Sequence, residues 1–483
     1  MAQDNPLYHE PYRPQYHFSP PCGWMNDPNG MVYYQGEYHF FYQFSPQVSR
    51  SSIHWGHAVS TDLVHWQNLP VALDPDAIGD IWSGSAVVDA NNTSGLVPGG
   101  GLVAIFSYAS QSQGVAYSTD RGRTWTKYKG NPVIPAMAKD FRDPKVFWDD
   151  QTSQWTMVIA AGHEAQIFTS PDLLVWTYRS SFSGGQVQPI WEVPDLFPLQ
   201  VNGQTKWVLL ISLSANGPAG GNGIQYFIGD FDGTTFTNDN PNTQLWLDYG
   251  TDNYAGTTWD NAPDNQRIYI GWMSNWQTAF SLPTPNWRGA ATLPRTLSLV
   301  QTADGIRLAQ MPVTSLETLR TLLGTWDNLD ISGDHPLTEV HGRTLEIIAD
   351  FEAGDAKRFG IDVHRNDTRR TRLVYNVAQS QLLVSRPDGS ESGTIPNFTT
   401  AFGAPTKLDN GHLRLHIFVD ESSVETFAQD GLVTLSAQTF GNVTDDGVSL
   451  FADQGSAKLV HLEIYALASV WSQDETIPDG MCG

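Results

Sequence analysis

Up to residue 310 the apolar positions do not recur at the three-and-four spacing of a helix. They come as short runs rich in Val, Ile, Tyr, Phe and Trp between clusters of Gly, Pro, Asn and Asp. This pattern predicts an all-β fold. The runs are also grouped into larger units: "DPNGMVYYQGEYHFFYQF" from Asp27, "GSAVVDANNTSGLVPGGGLVAIFSY" from Gly84, "DPKVFWDDQTSQWTMVIAA" from Asp143, "VPDLFPLQVNGQTKWVLLIS" from Val193 and "GTTWDNAPDNQRIYIGWMSN" from Gly256. A second echo follows in the first three, "STDLVHW" at 60–66, "STDRGRTW" at 118–125 and "SPDLLVW" at 170–176, with "GDFDGTTF" at 229–236 as its cousin in the fourth. A repeat of about 50 to 60 residues holding about four strands is the signature of a propeller blade. Five units predict a five-bladed β-propeller over residues 1–308.

The texture then changes. Leu316, Leu319, Leu322 and Leu323 stand at near-helical spacing and predict a short helical linker over 309–326. From 327 to 483 alternating runs such as "GRTLEIIADF" and "LRLHIFVDESSVETF" return, the latter a hairpin turning at Asp-Glu-Ser-Ser. They predict a β-sandwich domain of about a dozen strands.

In a propeller the first strand of each blade lines the central channel, so side chains at unit starts can converge. Three carboxylates stand at corresponding places: Asp27 in "WMNDPNG", Asp143 in "FRDPK" and Glu192 in "WEVPD". Each has an aromatic within three residues before it and a Pro one or two residues after it. Asp-Pro pairs usually cap turns, but three acids in one register on channel strands point to a site, because burying them is costly unless they are used. Two carboxylates flanking an oxocarbenium-like transition state are the equipment of glycoside cleavage. A short nucleophile in a polar turn, Asp27, and a longer acid kept protonated beside Trp191 and Val193, Glu192, would divide the roles by environment. Asp143, next to Arg142, is expected to stay ionised and to hold sugar hydroxyls.

Composition narrows the partners. Asp+Glu of 51 against Lys+Arg of 27 gives a net charge of -24, which repels phosphate backbones and anionic lipids, so neither nucleic acid nor membrane is an expected partner. No apolar run is long enough to span a bilayer, and "MAQDNPLYHEPYRPQYHF" has neither a basic nor an apolar leader region. The 17 Trp and 17 Tyr suit β cores or stacking on sugar faces. Those at 66, 125 and 176 follow the repeat and are read as blade core. His54, His57 and His65 lie near one another in sequence but alternate along a strand, so they are read as structural. There is no phosphate-cradling Gly loop, His/Cys ligand set or Gly-x-Ser-x-Gly elbow, so neither cofactor nor metal is expected. Cys22 and Cys482 make no framework between them and are read as unpaired, with a terminus-to-core disulfide as the alternative.

At these residues the chain resembles glycoside hydrolase family 32, the levanases, inulinases and invertases, across nearly its whole length. The resemblance rests on "YRPQYHFSPPCGWMNDPNGMVYYQGEYHFFYQF", "HWGHAVSTDLVHW", "SGSAVVDANNTSG", "GNPVIP", "FRDPKVFW", "QYFIGDFDGTTF", "GWMSNW", "WRGAATLPR" and "LHIFVDESSVETF" in this order. It implies a propeller plus sandwich and metal-free retaining cleavage of β-fructofuranosidic bonds of levan or inulin type. Asp27 would be the nucleophile, Glu192 the acid/base and Asp143 the transition-state stabiliser, with Asn26, Gln43, Trp82, Ser83, Arg142 and Trp276 completing a fructose pocket. A secreted, extracellular protein, monomeric or homodimeric and acting on fructan or fructo-oligosaccharide, is implied with it. A signal peptide would then be absent from this sequence.

Four places depart from the family pattern. Val193 replaces the usual Cys after the acid/base, Trp82 stands where Phe is common, "SPQVSRSSIHWGH" lacks the usual Trp-Gly, and Asp252-Asn253-Tyr254-Ala255-Gly256 replaces "DFYAA". These changes are expected at the rim where an acceptor would sit. They leave open a levan fructotransferase that releases a cyclic difructose dianhydride. A non-catalytic carbohydrate-binding protein on the same scaffold is the reading from another class. The sandwich is expected to pack against the propeller, with a reach of its "DESSVE" hairpin to the channel mouth or a partner subunit as a further hypothesis.

Overall fold

The computed structural model describes residues 7–185, 188–386, 394–472 and 475–482. Among the described residues five sheets, each built on a four-stranded antiparallel meander, begin with the inner strands Gly23–Tyr34, Ile81–Asp89, Phe141–Asp149, Trp191–Val201 and Tyr254–Thr258. These are the five units read from the sequence. Their second strands are buried on both faces, as in Gly101–Tyr108, which explains the continuous apolar run there. The second echo is a turn before each blade's outer strand. Asp62 accepts the amides of Val64 and His65, Asp172 those of Leu174 and Val175, and Asp232 those of Thr234 and Thr235. Trp66 is buried in its blade, and Trp125 and Trp176 pack against the cores of theirs. The ring closes where Trp287–Arg288 pairs in parallel with Gly23 and Trp24 of the first blade, and where Asp260 and Met31 bond through their backbones.

The predicted helical linker is instead one 3-10 turn, Thr314–Leu319, between the propeller strand Gly305–Pro312 and the long strand Arg320–His341. Leu316 and Leu319 are buried under it, whereas Leu322 and Leu323 lie exposed on the strand. Sheet pairing with Gly447–Leu467 overrides the local helical spacing here. The second domain is a ten-stranded sheet folded into a sandwich. Gly447–Leu467 serves both layers: residues 447–453 pair with Arg358–Arg365 and residues 458–466 with Leu345–Glu352. The chain switches layers at Gln454 and Gly455, both at positive φ.

The predicted hairpin is formed by His412–Asp420 and Ser423–Ala428. It bolts the sandwich to the propeller, the packing expected of that domain, and does not reach the channel mouth. His17 bonds Asp420 at 2.7 Å and Glu425 at 2.9 Å, and Glu425 also takes the Leu293 amide and the Arg295 guanidinium. Arg295 continues to Asp248 at 3.2 Å, all of it shielded from water. Burial alone would push the His17 imidazole down, but its two carboxylate partners outweigh this and raise it to about 9.

The cysteines are joined, contrary to the unpaired reading: Cys22 and Cys482 form a disulfide with their Cα atoms 6.0 Å apart. The reason is the tail. After the last strand it runs back over the N-terminal segment, stacking Trp471 on Tyr8 at 3.8 Å and donating from the Trp471 indole to the Pro14 carbonyl. Sequence separation of 460 residues hides this proximity.

Candidate active site

Each inner strand is irregular at the same level. The pairing slips between Met25 and Pro28, Ile81 and Gly84, Glu192 and Asp195, and Tyr254 and Thr257, and opposite residues 142–145 of the third blade. A bulge bends the strand and re-aims a side chain. Asp143, Val193 and Ala255 accordingly sit at φ of 65°, 44° and 51°, a conformation that β-branched Val adopts rarely. Five bulges at one end of the channel turn Asp27, Ser83, Asp143, Glu192 and Tyr254 toward one another.

A cavity of about 240 Å³ opens there, lined by all nine residues expected from the sequence together with Arg50, Gln111 and Asp140. Larger concavities of about 460 and 320 Å³ lie elsewhere, so chemistry and not size singles this one out. Among the described residues, none from the sandwich lines it.

Asp27 takes two donors, Asn26 Nδ2 at 2.9 Å on Oδ1 and Ser83 Oγ at 2.8 Å on Oδ2. Asn26 is itself fixed by the Trp24 indole N–H at 2.7 Å. Glu192 takes Arg142 at 2.9 Å on one oxygen and the Tyr254 hydroxyl on the other. Asp143 accepts the Val193 amide at 3.1 Å, and its own amide donates to Ser107. Gln43 donates to the Ile81 carbonyl at 3.3 Å, and the carbonyl of Trp82 takes the Trp55 indole. Trp276 stacks on Trp24, with centroids 6.0 Å apart, in a wall shared with Phe280.

The electrostatics differ from the sequence expectation. Burial and then the charge of Glu192 push Asp27 up, against the pull of Asn26, Ser83 and Arg50. Asp27 is thus no solvated polar-turn acid. Asp143 was expected to stay ionised beside Arg142, yet burial raises it to about 7, helped by Glu192 and Asp27. Arg142 hydrogen-bonds Glu192 and Asp140 and stands 3.9 Å from Asp143, so its charge pulls Asp143 down without outweighing burial. Burial beside the Glu192 charge is what makes ionising Asp27 and Asp143 together costly.

Two departures expected at the rim lie behind the site. Val193 is buried among Trp24, Tyr254, Ala255, Trp272 and Ala279, and Asn253 is buried against Tyr269 and Asp248. Only Trp82 and Arg50 face the cavity. Tyr254 escaped sequence reasoning as a functional group, although it opens the fifth inner strand at the register that marked the acids. Arg50, Gln111 and Asp140 come from connecting segments and carried no periodic signal. The three histidines have separate partners: His54 bonds Asp74, His57 bonds His39 and His65 bonds Asp62.

Residues 17–312 match the glycosyl hydrolases family 32 N-terminal domain and residues 315–466 the glycosyl hydrolases family 32 C-terminal domain. The chain is 48% identical over 490 residues to a levanase of Bacillus subtilis strain 168, covering 97% of this chain and 72% of that protein. It is 41% identical to a levanase of Bacillus sp. strain L7, spanning about half of it: 97% of this chain and 53% of the relative. The crystal structure of the exo-inulinase from Aspergillus awamori superposes with a TM-score of 0.91 at 36% identity, over 96% of this chain and 100% of the other. By sequence over both domains and by fold, the chain belongs to glycosyl hydrolase family 32.

Proposed function

We propose that the protein cleaves β-fructofuranosidic bonds of fructans or fructo-oligosaccharides by double displacement. The observation that carries this reading is the convergence of Asp27, Glu192 and Asp143 with Arg142 in one cavity at the same end of three inner strands. The Asp27 carboxylate, held on both oxygens by Asn26 and Ser83, attacks the anomeric carbon of the fructosyl unit. The bond to the glycosidic oxygen breaks, and that oxygen takes the Glu192 proton. In the second half Glu192 removes a proton from water, the hydroxide attacks the same carbon, and the ester to Asp27 opens. The donors around Glu192, Arg142 and Tyr254, suit the carboxylate form that acts as base. Asp143 and Arg142 line the cavity as the pair that holds ring hydroxyls as positive charge develops.

The levanase and exo-inulinase relatives support a fructan substrate. The disulfide and the extracellular exo-inulinase relative support an extracellular setting, since such bonds persist in oxidising compartments. The test is product analysis by chromatography with mass detection after incubation with levan, inulin and sucrose, alongside Asp27→Asn and Glu192→Gln. Free fructose from levan or inulin, lost by at least about 1,000-fold in both variants, is expected. A product lighter by one water than difructose would mean transfer instead of hydrolysis, and full activity in either variant would refute the residue roles.

A further inference from the structure

Arg50 has no part in the chemistry above. It sits between the strands Glu37–Ser45 and His54–Ser60 at φ 58°, its amide donating to the Gln47 carbonyl at 3.0 Å, and it forms part of the cavity wall. Its guanidinium lies 5.3 Å from the Trp276 ring centroid. Its Nε donates to Asn26 Oδ1 at 3.4 Å, the oxygen that also takes the Trp24 indole. Among the described residues it forms no salt bridge and its guanidinium makes no other hydrogen bond. Arg142, the other cation of the cavity, is bonded to Glu192 and Asp140.

A guanidinium offers five N–H donors in a fixed fork. Arg50 is half-buried, and the donors it does not spend on Asn26 face the open cavity, where they suit oxygen atoms of a ligand. Four carboxylates, Asp27, Asp140, Asp143 and Glu192, line the cavity against two cations, so the excess is negative. That balance disfavours an anion and favours a neutral ligand rich in hydroxyls. Asn26, the anchor of Arg50, is also the residue that holds Asp27.

We propose that Arg50 is a specificity-determining residue: stacked on Trp276 and anchored on Asn26, its fork donates to two hydroxyls of the furanosyl unit held against Asp27. The inference rests on the fructan-cleaving reading for its substrate class. The same charge also favours the carboxylate form of Asp27, which otherwise faces Glu192 from Trp191–Val201 and Asp143 from Phe141–Asp149, with Arg142 as the remaining cation.

The experiment compares Arg50→Lys and Arg50→Gln with the unaltered protein in KM and kcat on levan oligomers across pH, and in fructose affinity by tryptophan fluorescence. Both variants are expected to raise KM and weaken fructose binding by about 10-fold, the worth of a lost hydrogen bond from a charged donor. The Gln variant also moves the acid limb of kcat/KM to higher pH, and the Lys variant, keeping the charge, does not. Unchanged KM and fructose affinity in the variants overturn the proposal, as does a fall in kcat alone. If the Gln variant fails to fold, the Lys variant decides by the same two readouts. An unaltered protein inactive on every fructoside refutes the proposed activity, and the fructose titration still decides the role of Arg50.

Discussion

Glu425→Gln tests the interdomain bolt. The glutamate is fully buried and faces two cations, Arg295 and the His17 imidazolium, and also accepts the Leu293 amide. The replacement keeps the shape but removes the charge and turns an amide N–H toward groups that are themselves donors. Breaking one partner of a buried pair costs about 3 to 5 kcal/mol, far more than the pair's net worth, because the other charge is left uncompensated. At about 2 cal/mol/K per residue, a chain of this size shifts by about 1 °C per kcal/mol, so melting falls by about 3 to 5 °C. The assay is differential scanning calorimetry at pH 7, where one endotherm is expected to split as the domains uncouple. The pH dependence is a second check. His17 is raised from 6.5 to about 9 in the fold, so its contribution is complete below pH 6.5 and is lost as pH rises through 9. That contribution is about 3 kcal/mol. The gap between the two proteins should therefore be widest at pH 6 and narrow by pH 10, where only the Arg295 part persists. A melting temperature within about 1 °C of the parent at pH 6 would refute the reasoning, since about 1 kcal/mol is too little for a buried bridge with two cations.

Three further outcomes are expected. Asp143 is raised from 3.8 to about 7, so the fold gains from its protonated form, and this gain is lost as pH rises through 7. Asp143→Asn should stabilise the empty protein at pH 8 by about 1 to 3 kcal/mol in a denaturant titration while abolishing fructan turnover; a destabilised variant would contradict it. Tyr254→Phe removes a donor to Glu192 and should lower kcat/KM on levan oligomers about 10-fold, and an unchanged value would mean that this bond is idle. Cys482→Ser frees the tail from Cys22 and should cost about 2 to 4 kcal/mol in thermal unfolding, whereas reductant should then have no further effect on the variant.

Asp27, Asp143 and Glu192 could be read as one site because a propeller repeats: equal positions at unit starts become equal heights in the channel. The ionisation of those acids could not be read the same way. Arg142 is adjacent to Asp143 in the chain, but its hydrogen bonds go to Glu192 and Asp140, and the charge it turns on Asp143 from 3.9 Å does not outweigh burial. The rim was misjudged for a related reason. Val193 and Asn253 lie next to site residues in sequence, and alternation along a bulged strand sends them into the wall behind it.

By itself the chain determined the strands, the number of blades and the level at which the acids stand, because alternation and turn residues are local and a repeat copies them around a ring. The tertiary structure decided what distant segments do to one another: the disulfide across 460 residues, the His17–Glu425–Arg295 bolt, and the Arg50 fork over Trp276. It also decided that Asp27 and Asp143 hold their protons more tightly than free carboxyls. Burial and charge proximity set each of these, and both depend on which strands meet in space.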